Sequence, residues 1–191
     1  MGSLTEYGDS SGAVVARPFT SMFSPDRPGR ASLRTTFEAI GTLRSLTLAN
    51  VAGVDGFPDW FPQAVSLLTP FSFFRITRLR FVTQISGGAA SVYTVAANVT
   101  NDSATSDAGA LTILNDDFAG VANALRPLVL EPPPGYFQQG SLKWYPTDTN
   151  ALDIVDYTMG SLSMVGFGGA APDTVIGWHT VDVEIEFHTL R

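Results

Sequence analysis

The side chains in this sequence that could do chemistry are few, and their types narrow the options at once. There are two histidines, His179 and His188, and no cysteine. Thiol catalysis, thiolate metal sites and disulfides are therefore excluded. A zinc or cupin-like iron centre needs more nitrogen ligands than two histidines nine residues apart provide, so both are expected as surface or edge residues. Serines are plentiful, but none sits in a G-x-S-x-G elbow. Carboxylate pairs such as Asp116-Asp117, or Asp153 with Asp156, have the composition of an acid and base, but no surrounding pattern marks a substrate cleft and solvated turns account for them. Gly166-Phe167-Gly168-Gly169-Ala170-Ala171 fits the dinucleotide pattern G-x-G-x-x-A. Pro172 and Asp173 follow it where a helix would have to open, so a strand-to-strand turn is expected instead.

Two sets of charged residues remain. Asp102, Asp107, Asp116 and Asp117, with Asn98, Asn101 and Asn115, place hard oxygen donors in two loops that flank the middle strands. They are candidate calcium ligands, with ordinary Asx-turns as the alternative reading, and EF-hand spacing is absent. The second set is Arg75, Arg78 and Arg80. Arg78 and Arg80 share a strand face, suited either to phosphate or to the acidic excess of a neighbouring subunit, and the residues alone leave that choice open. No aromatic RNA-recognition signature accompanies them. The sequons at Asn98 and Asn101 are expected to be idle, since no secretion signal accompanies them.

The balance of charge bounds the partners. The chain has 191 residues, 45% of them hydrophobic, which is enough for one sizeable domain and short for two. Its formal charge of −7 argues against electrostatic binding of nucleic acid over the whole surface. The excess is uneven: residues 1–101 hold eight Arg and six acidic groups, residues 102–191 three basic and twelve acidic ones. An anion-facing surface must come from the first half. No run approaches the ~18 apolar residues of a membrane helix, and the amino terminus lacks the layout of a signal peptide. Glu6 stands where myristoylation wants Ser or Thr. A soluble protein, neither spanning nor anchored to a membrane, is expected.

The elements that must position these residues are strands. Thr180 to Thr189 alternates Val181, Val183, Ile185 and Phe187 with Asp182, Glu184, Glu186 and His188, the pattern of a strand with one face on a core. Such a strand needs paired neighbours on both edges and a second apolar layer over its inner face. Residues 1–32 read as an arm or a leading edge strand. From Leu33 the alternation Leu33, Thr35, Phe37, Ala39 begins, and Leu46 and Leu48 resume it after Gly41, predicting one long strand bent at the glycine. Asp59 to Leu68 carries the helix signal, with Phe61, Ala64, Val65 and Leu68 on one face, Asp59 as cap and Pro62 in the first turn. In Phe71 to Thr83 the inward parity passes from Phe74 and Ile76 to Leu79 and Phe81, predicting a bulge or a sharp twist near Thr77 or Arg78. Val92 to Val99, Leu111 to Leu114, Leu128 to Leu130, Leu142 to Tyr145 and Leu162 to Val165 complete about eight strands. Many short strands with Gly and Pro turns indicate an antiparallel sandwich or barrel. No repeat period is present.

Read in order, these segments resemble the shell domain of coat proteins from small icosahedral positive-strand RNA viruses of the tombusvirus and sobemovirus kind. The carriers are Phe57-Pro58-Asp59-Trp60-Phe61 opening a short helix, then Phe73-Phe74-Arg75-Ile76-Thr77-Arg78-Leu79-Arg80-Phe81. Pro127-Leu128-Val129-Leu130 leads on to Lys143-Trp144-Tyr145, and Asp153-Ile154-Val155-Asp156 through Gly160 to Gly166-Phe167-Gly168-Gly169 and the last strand. The resemblance implies an all-β fold: an eight-stranded antiparallel jelly-roll sandwich over 33–191, with one or two short helices in loops and the last strand inside one sheet. It implies no catalytic role. Copies would tile an icosahedral shell enclosing an RNA genome, often with calcium clamped between subunits. The family's D-x-D-x-x-D run falls on Asn98-Val99-Thr100-Asn101-Asp102-Ser103, where Asp positions are replaced. In place of a basic arm the chain has Arg17, Arg27, Arg30 and Arg34.

The expectation is therefore a capsid subunit, not an enzyme, whose partners are copies of itself and genomic RNA, with no membrane and no small-molecule substrate. Its place is the virion, assembled in the host cytoplasm. No cofactor is expected beyond calcium at subunit interfaces. Arg34, Arg75, Arg78 and Arg80 are the candidate RNA-facing or subunit-contact residues, and Phe57, Trp60 and Phe61 are expected as exposed aromatics in the contact between copies. The alternative is a carbohydrate-binding or lectin-like β-sandwich that uses Trp60, Trp144 or Trp178 as a stacking platform.

Overall fold

A computed structural model describes residues 28–53, 55–86, 93–101, 110–138, 144–148, 150, 153–168 and 174–190. Among them are nine strands. Strands β1 (Gly29–Ala39), β3 (Phe71–Ile85), β6 (Leu128–Leu130), β7 (Tyr145–Pro146) and β9 (Gly177–Leu190) form one sheet, in the order β1-β9-β3-β6 with β7 also on β3. Strands β2 (Arg44–Thr47), β4 (Thr94–Thr100), β5 (Phe118–Asn123) and β8 (Ser161–Phe167) form the other, in the order β2-β8-β4-β5. All pairings are antiparallel. The pairs β4 with β5, β3 with β6, β2 with β8 and β1 with β9 are nested like those of one long hairpin. Both limbs of that hairpin switch sheets together, which is the rolled-up ribbon of a jelly roll. The implied fold is thus observed, with the two-residue β7 making nine strands where eight were expected.

The last strand lies in the interior of its sheet, between β1 and β3, as its one-sided pattern requires. Val181, Val183, Ile185 and Phe187 are buried against Leu33 of β1, Leu79 and Phe81 of β3, and Val95, Val99, Leu162 and Met164 of the facing sheet. The parity change in β3 is a bulge between Ile76 and Arg78. The extra residue at Thr77 returns Leu79 and Phe81 to the core and turns Arg78 and Arg80 outward.

Three local expectations are corrected. The strand predicted to continue past Gly41 is two strands: the chain leaves the larger sheet at Ala39 and enters the smaller at Arg44, so the glycine marks a corner between layers. The helix predicted over Asp59 to Leu68 is split into α1 (Phe57–Trp60) and α2 (Gln63–Leu68). Asp59 is not the cap but the third residue of α1, where its carboxylate accepts the N–H groups of Gly53 at 2.9 Å and Gly56 at 3.1 Å. Phe61, Ala64 and Leu68 face the core and Val65 is exposed. Leu111 to Leu114, expected as a strand, belongs to helix α3 (Ala110–Leu114). Ile113 instead packs on Ala96 on the outside of the smaller sheet. A fourth short helix, α4 (Ile154–Tyr157), precedes β8.

Candidate functional site

The residues that sequence reading singled out meet on the outer face of the larger sheet. Alternation turns Arg30 and Arg34 of β1, Asp182, Glu184 and Glu186 of β9, and Arg75, Arg78 and Arg80 of β3 to this side. The strand register then sets them opposite one another: Arg30 and Arg75 flank Glu186, Arg78 faces Glu184, and Arg34 and Arg80 flank Asp182. Cross-strand pairs of opposite charge are the favourable arrangement at such positions.

The contacts follow the register. Glu186, only 3% exposed, takes Arg30 on one oxygen and Arg75 on the other, each at 2.6 Å. The Arg75 guanidinium also lies 4.3 Å from the centre of the Trp144 ring. Arg34 grips both oxygens of Asp182, its second bond measuring 3.1 Å. Arg78 binds Glu131 at 2.6 Å and reaches Glu184 at 3.4 Å, while Arg80 stands 3.9 Å from Glu131 and 4.0 Å from Asp182. Hydrogen bonds to Asp182 and Glu131, with their charges, hold Arg34 and Arg78 above the ordinary arginine range. Between these rows runs a shallow depression of about 410 Å³, bordered by Ser32, Arg34, Arg78, Arg80, Asp182 and Glu184. Five guanidiniums thus meet four carboxylates of the same chain. Beside phosphate and a neighbour's acids, the register supplies a third partner for these arginines, the acids of their own chain. Sequence reading missed Glu131, which follows β6 and has no pattern to mark it.

The remaining candidates are dispersed. Asp102 and Asp107 lie outside the described residues. The Asp116 carboxylate accepts a hydrogen bond from the side-chain amide of Asn98, whose carbonyl in turn accepts the Ser163 N–H at 3.2 Å. Asp116 and Asp117 stand near Tyr136, whose phenol is pushed above its usual range first by burial and then by these two charges. Among the described residues no three His, Asp or Glu side chains gather into a metal-binding group. Of the Gly-rich stretch, Gly166 and Phe167 end β8, and 169–173 lie outside the described residues.

Phe57 and Phe61 are 0% exposed, so the expectation that they face another copy is corrected. They form an edge-on aromatic stack with Phe74 inside the sandwich, because the two short helices plug the space between the sheets. Trp60 is partly buried with its ring 4.3 Å from that of Phe37. Nor do the three tryptophans make one platform: Trp144 is occupied by Arg75, and Trp178 stands at the far end of β9, roughly 25 Å along the strand at ~3.3 Å per residue.

His179 was expected at the surface and is 1% exposed, turned into the core between Phe37 and Phe81 with Nδ1 2.9 Å from the Thr83 hydroxyl. Burial, and secondarily the charge of Arg44, lowers it to about 3. The imidazole is therefore neutral at physiological pH and sealed from solvent, which suits it to packing rather than proton transfer.

No protein-family model and no curated protein matches the sequence. Solved structures do match in three dimensions. The structure of Cucumber Leaf Spot Virus superposes with a TM-score of 0.65 at 15% identity, over 85% of this chain and 57% of that one. Melon necrotic spot virus gives 0.63 at 17% identity over 100% and 61%, and Cocksfoot mottle virus 0.61 at 8% over 86% and 97%. The chain thus spans less than two thirds of the first two and nearly all of the third. At these identities the likeness establishes a shared fold, the jelly roll described above.

Proposed function

We propose that this chain is a structural subunit, not an enzyme, whose copies close into the icosahedral shell of a small RNA virus. The observation that carries this reading is the fold: the sheet orders β1-β9-β3-β6 and β2-β8-β4-β5 superpose on virus structures over 85% of the chain or more. The outer sheet face agrees with it. Its charges are matched in pairs and Glu186 is clamped, which stiffens a wall without forming a reaction centre.

On this reading the shell encloses genomic RNA and assembles in the host cytoplasm, and Asp116 and Asp117, with Asp102 and Asp107, supply oxygen ligands for calcium between copies. The test is light scattering and negative-stain microscopy of the purified chain, with calcium and with chelator, followed by nuclease treatment and extraction of the particles. Closed particles are expected, loosened by chelation and containing nuclease-protected RNA. A monomer under every condition would overturn the shell reading. Particles indifferent to chelation, or empty ones, would remove calcium or RNA from it.

A further inference from the structure

One strand in particular keeps His179 from water. The imidazole lies on the inner face of β9, directly across the ladder from Phe37 of β1, whose ring centre is 5.1 Å away. From the other side β3 presents Phe81, with 5.3 Å between ring centres, and the Thr83 hydroxyl at 2.9 Å. The charged group that faces it is Arg44, at the start of β2, while the exposed Glu38 turns to the outer face. Arg44 is itself tied to β1: it donates to the Glu38 carbonyl at 3.2 Å, and its guanidinium stands 5.7 Å from the centre of the Phe37 ring. Two things keep a proton off this histidine, burial first and the Arg44 charge second, and both depend on where β1 lies.

The two neighbours of β9 are not equally fixed. β3 is held on both edges, by β9 on one and by β6 and β7 on the other, and it buries Phe74, Ile76, Leu79, Phe81 and Ile85. β1 ends the strand order of its sheet, and among the described strands it pairs with β9 alone. Of its inner residues Leu33 and Ala39 are buried, whereas Ala31 and Phe37 are only partly so. Less apolar area therefore holds β1 than holds β3, and an edge strand of this kind opens before the sheet does. On its outer side it is gripped by the pairs Arg30 with Glu186 and Arg34 with Asp182, which do not involve the histidine. Trp60 biases the balance toward opening. Its ring packs on Phe37 and its indole Nε1 is buried without a hydrogen-bond partner, a cost that water relieves once Phe37 moves away.

We propose that β1 is a flap released by acid: below neutral pH it lifts from β9 as a unit, carries Phe37 and the anchor of Arg44 with it, and opens His179 to water. This device goes beyond the shell reading and does not rest on it. Its sign follows from linkage. The uncovered imidazole takes up a proton near pH ~6.5 and the covered one only at about 3, so above pH ~6.5 the opening is indifferent to pH, and between the two values the opening constant rises about tenfold for each unit of pH lost. Hydrogen exchange of the full chain, read by mass spectrometry between neutral pH and the onset of carboxylate titration and corrected for the intrinsic exchange rate, tests it. The segment Gly29–Ala39 is expected to exchange through an opening smaller than global unfolding, roughly tenfold or more ahead of β3, and to lose protection by about tenfold per pH unit below ~6.5. His179→Gln is expected to abolish that pH dependence. Arg34→Ala, which leaves the histidine alone, is expected to lower the protection of β1 by less than roughly fivefold at every pH with the slope unchanged, and it keeps the test open if the glutamine variant fails to fold. If β1 never exchanges ahead of β3, or does so equally at every pH, or keeps its slope in a folded His179→Gln chain, the proposal is overturned and the shell reading is untouched.

Discussion

His179 makes stability depend on pH in a definite direction. Its folded value, near 3, is far below the ~6.5 of an unfolded histidine. Above pH 6.5 neither state binds the proton and the residue has no effect. As pH falls below that, the unfolded chain takes up a proton that the folded chain refuses, and stability declines by about 1.4 kcal/mol per pH unit until pH approaches 3. Urea denaturation should show this slope between neutral pH and the onset of carboxylate titration, and His179→Gln should flatten it. Glu186 offers a second check. Its replacement by Gln leaves Arg30 and Arg75 without their shared anion, and a loss of about 1–3 kcal/mol is expected on chemical denaturation. Arg34→Ala, at an exposed pair, should cost less than about 1 kcal/mol. None of this contrast was legible in composition. Alternation showed that the acids of β9 share a face, but the identity of their partners depends on which arginine each register brings opposite.

At the scale of the element, the legible features were those with a local cause. The break in β3 could be read because a parity change along one strand is a local signal, and the inward face of Ala64 and Leu68 followed from their spacing. The strand expected at Leu111 to Leu114 is a helix instead, because Ile113 packs on Ala96 of the facing strand, a contact that the run itself does not show. β5 went unseen because Phe118-Ala-Gly-Val-Ala-Asn123 alternates weakly and is held by β4 on one side. Gly160 marks a junction with little tolerance. Its φ is +152°, and a Cβ there would stand 2.2 Å from the Thr100 carbonyl oxygen at the end of β4. Gly160→Ala should therefore cost about 2 kcal/mol or more by separating the ends of β4 and β8, measured as a lower urea midpoint with unchanged slope.

The whole molecule decides what the surfaces are for. Its two outer features differ in kind: a sheet face whose charges are already paired, and an end of the sandwich where exposed apolar side chains such as Leu125 and Trp178 collect. The first predicts little loss of association at high salt from the sheet face. Sequence alone determined that the chain is built of one-faced strands around an apolar interior and that thiol chemistry is absent, because side-chain parity and residue type are local properties. Tertiary structure alone decided that Phe57 and Phe61 are core and that the arginines meet acids of their own chain. Those outcomes depend on contacts such as Arg34 with Asp182, 148 residues apart, and a register across that distance is set by the packing of both sheets together.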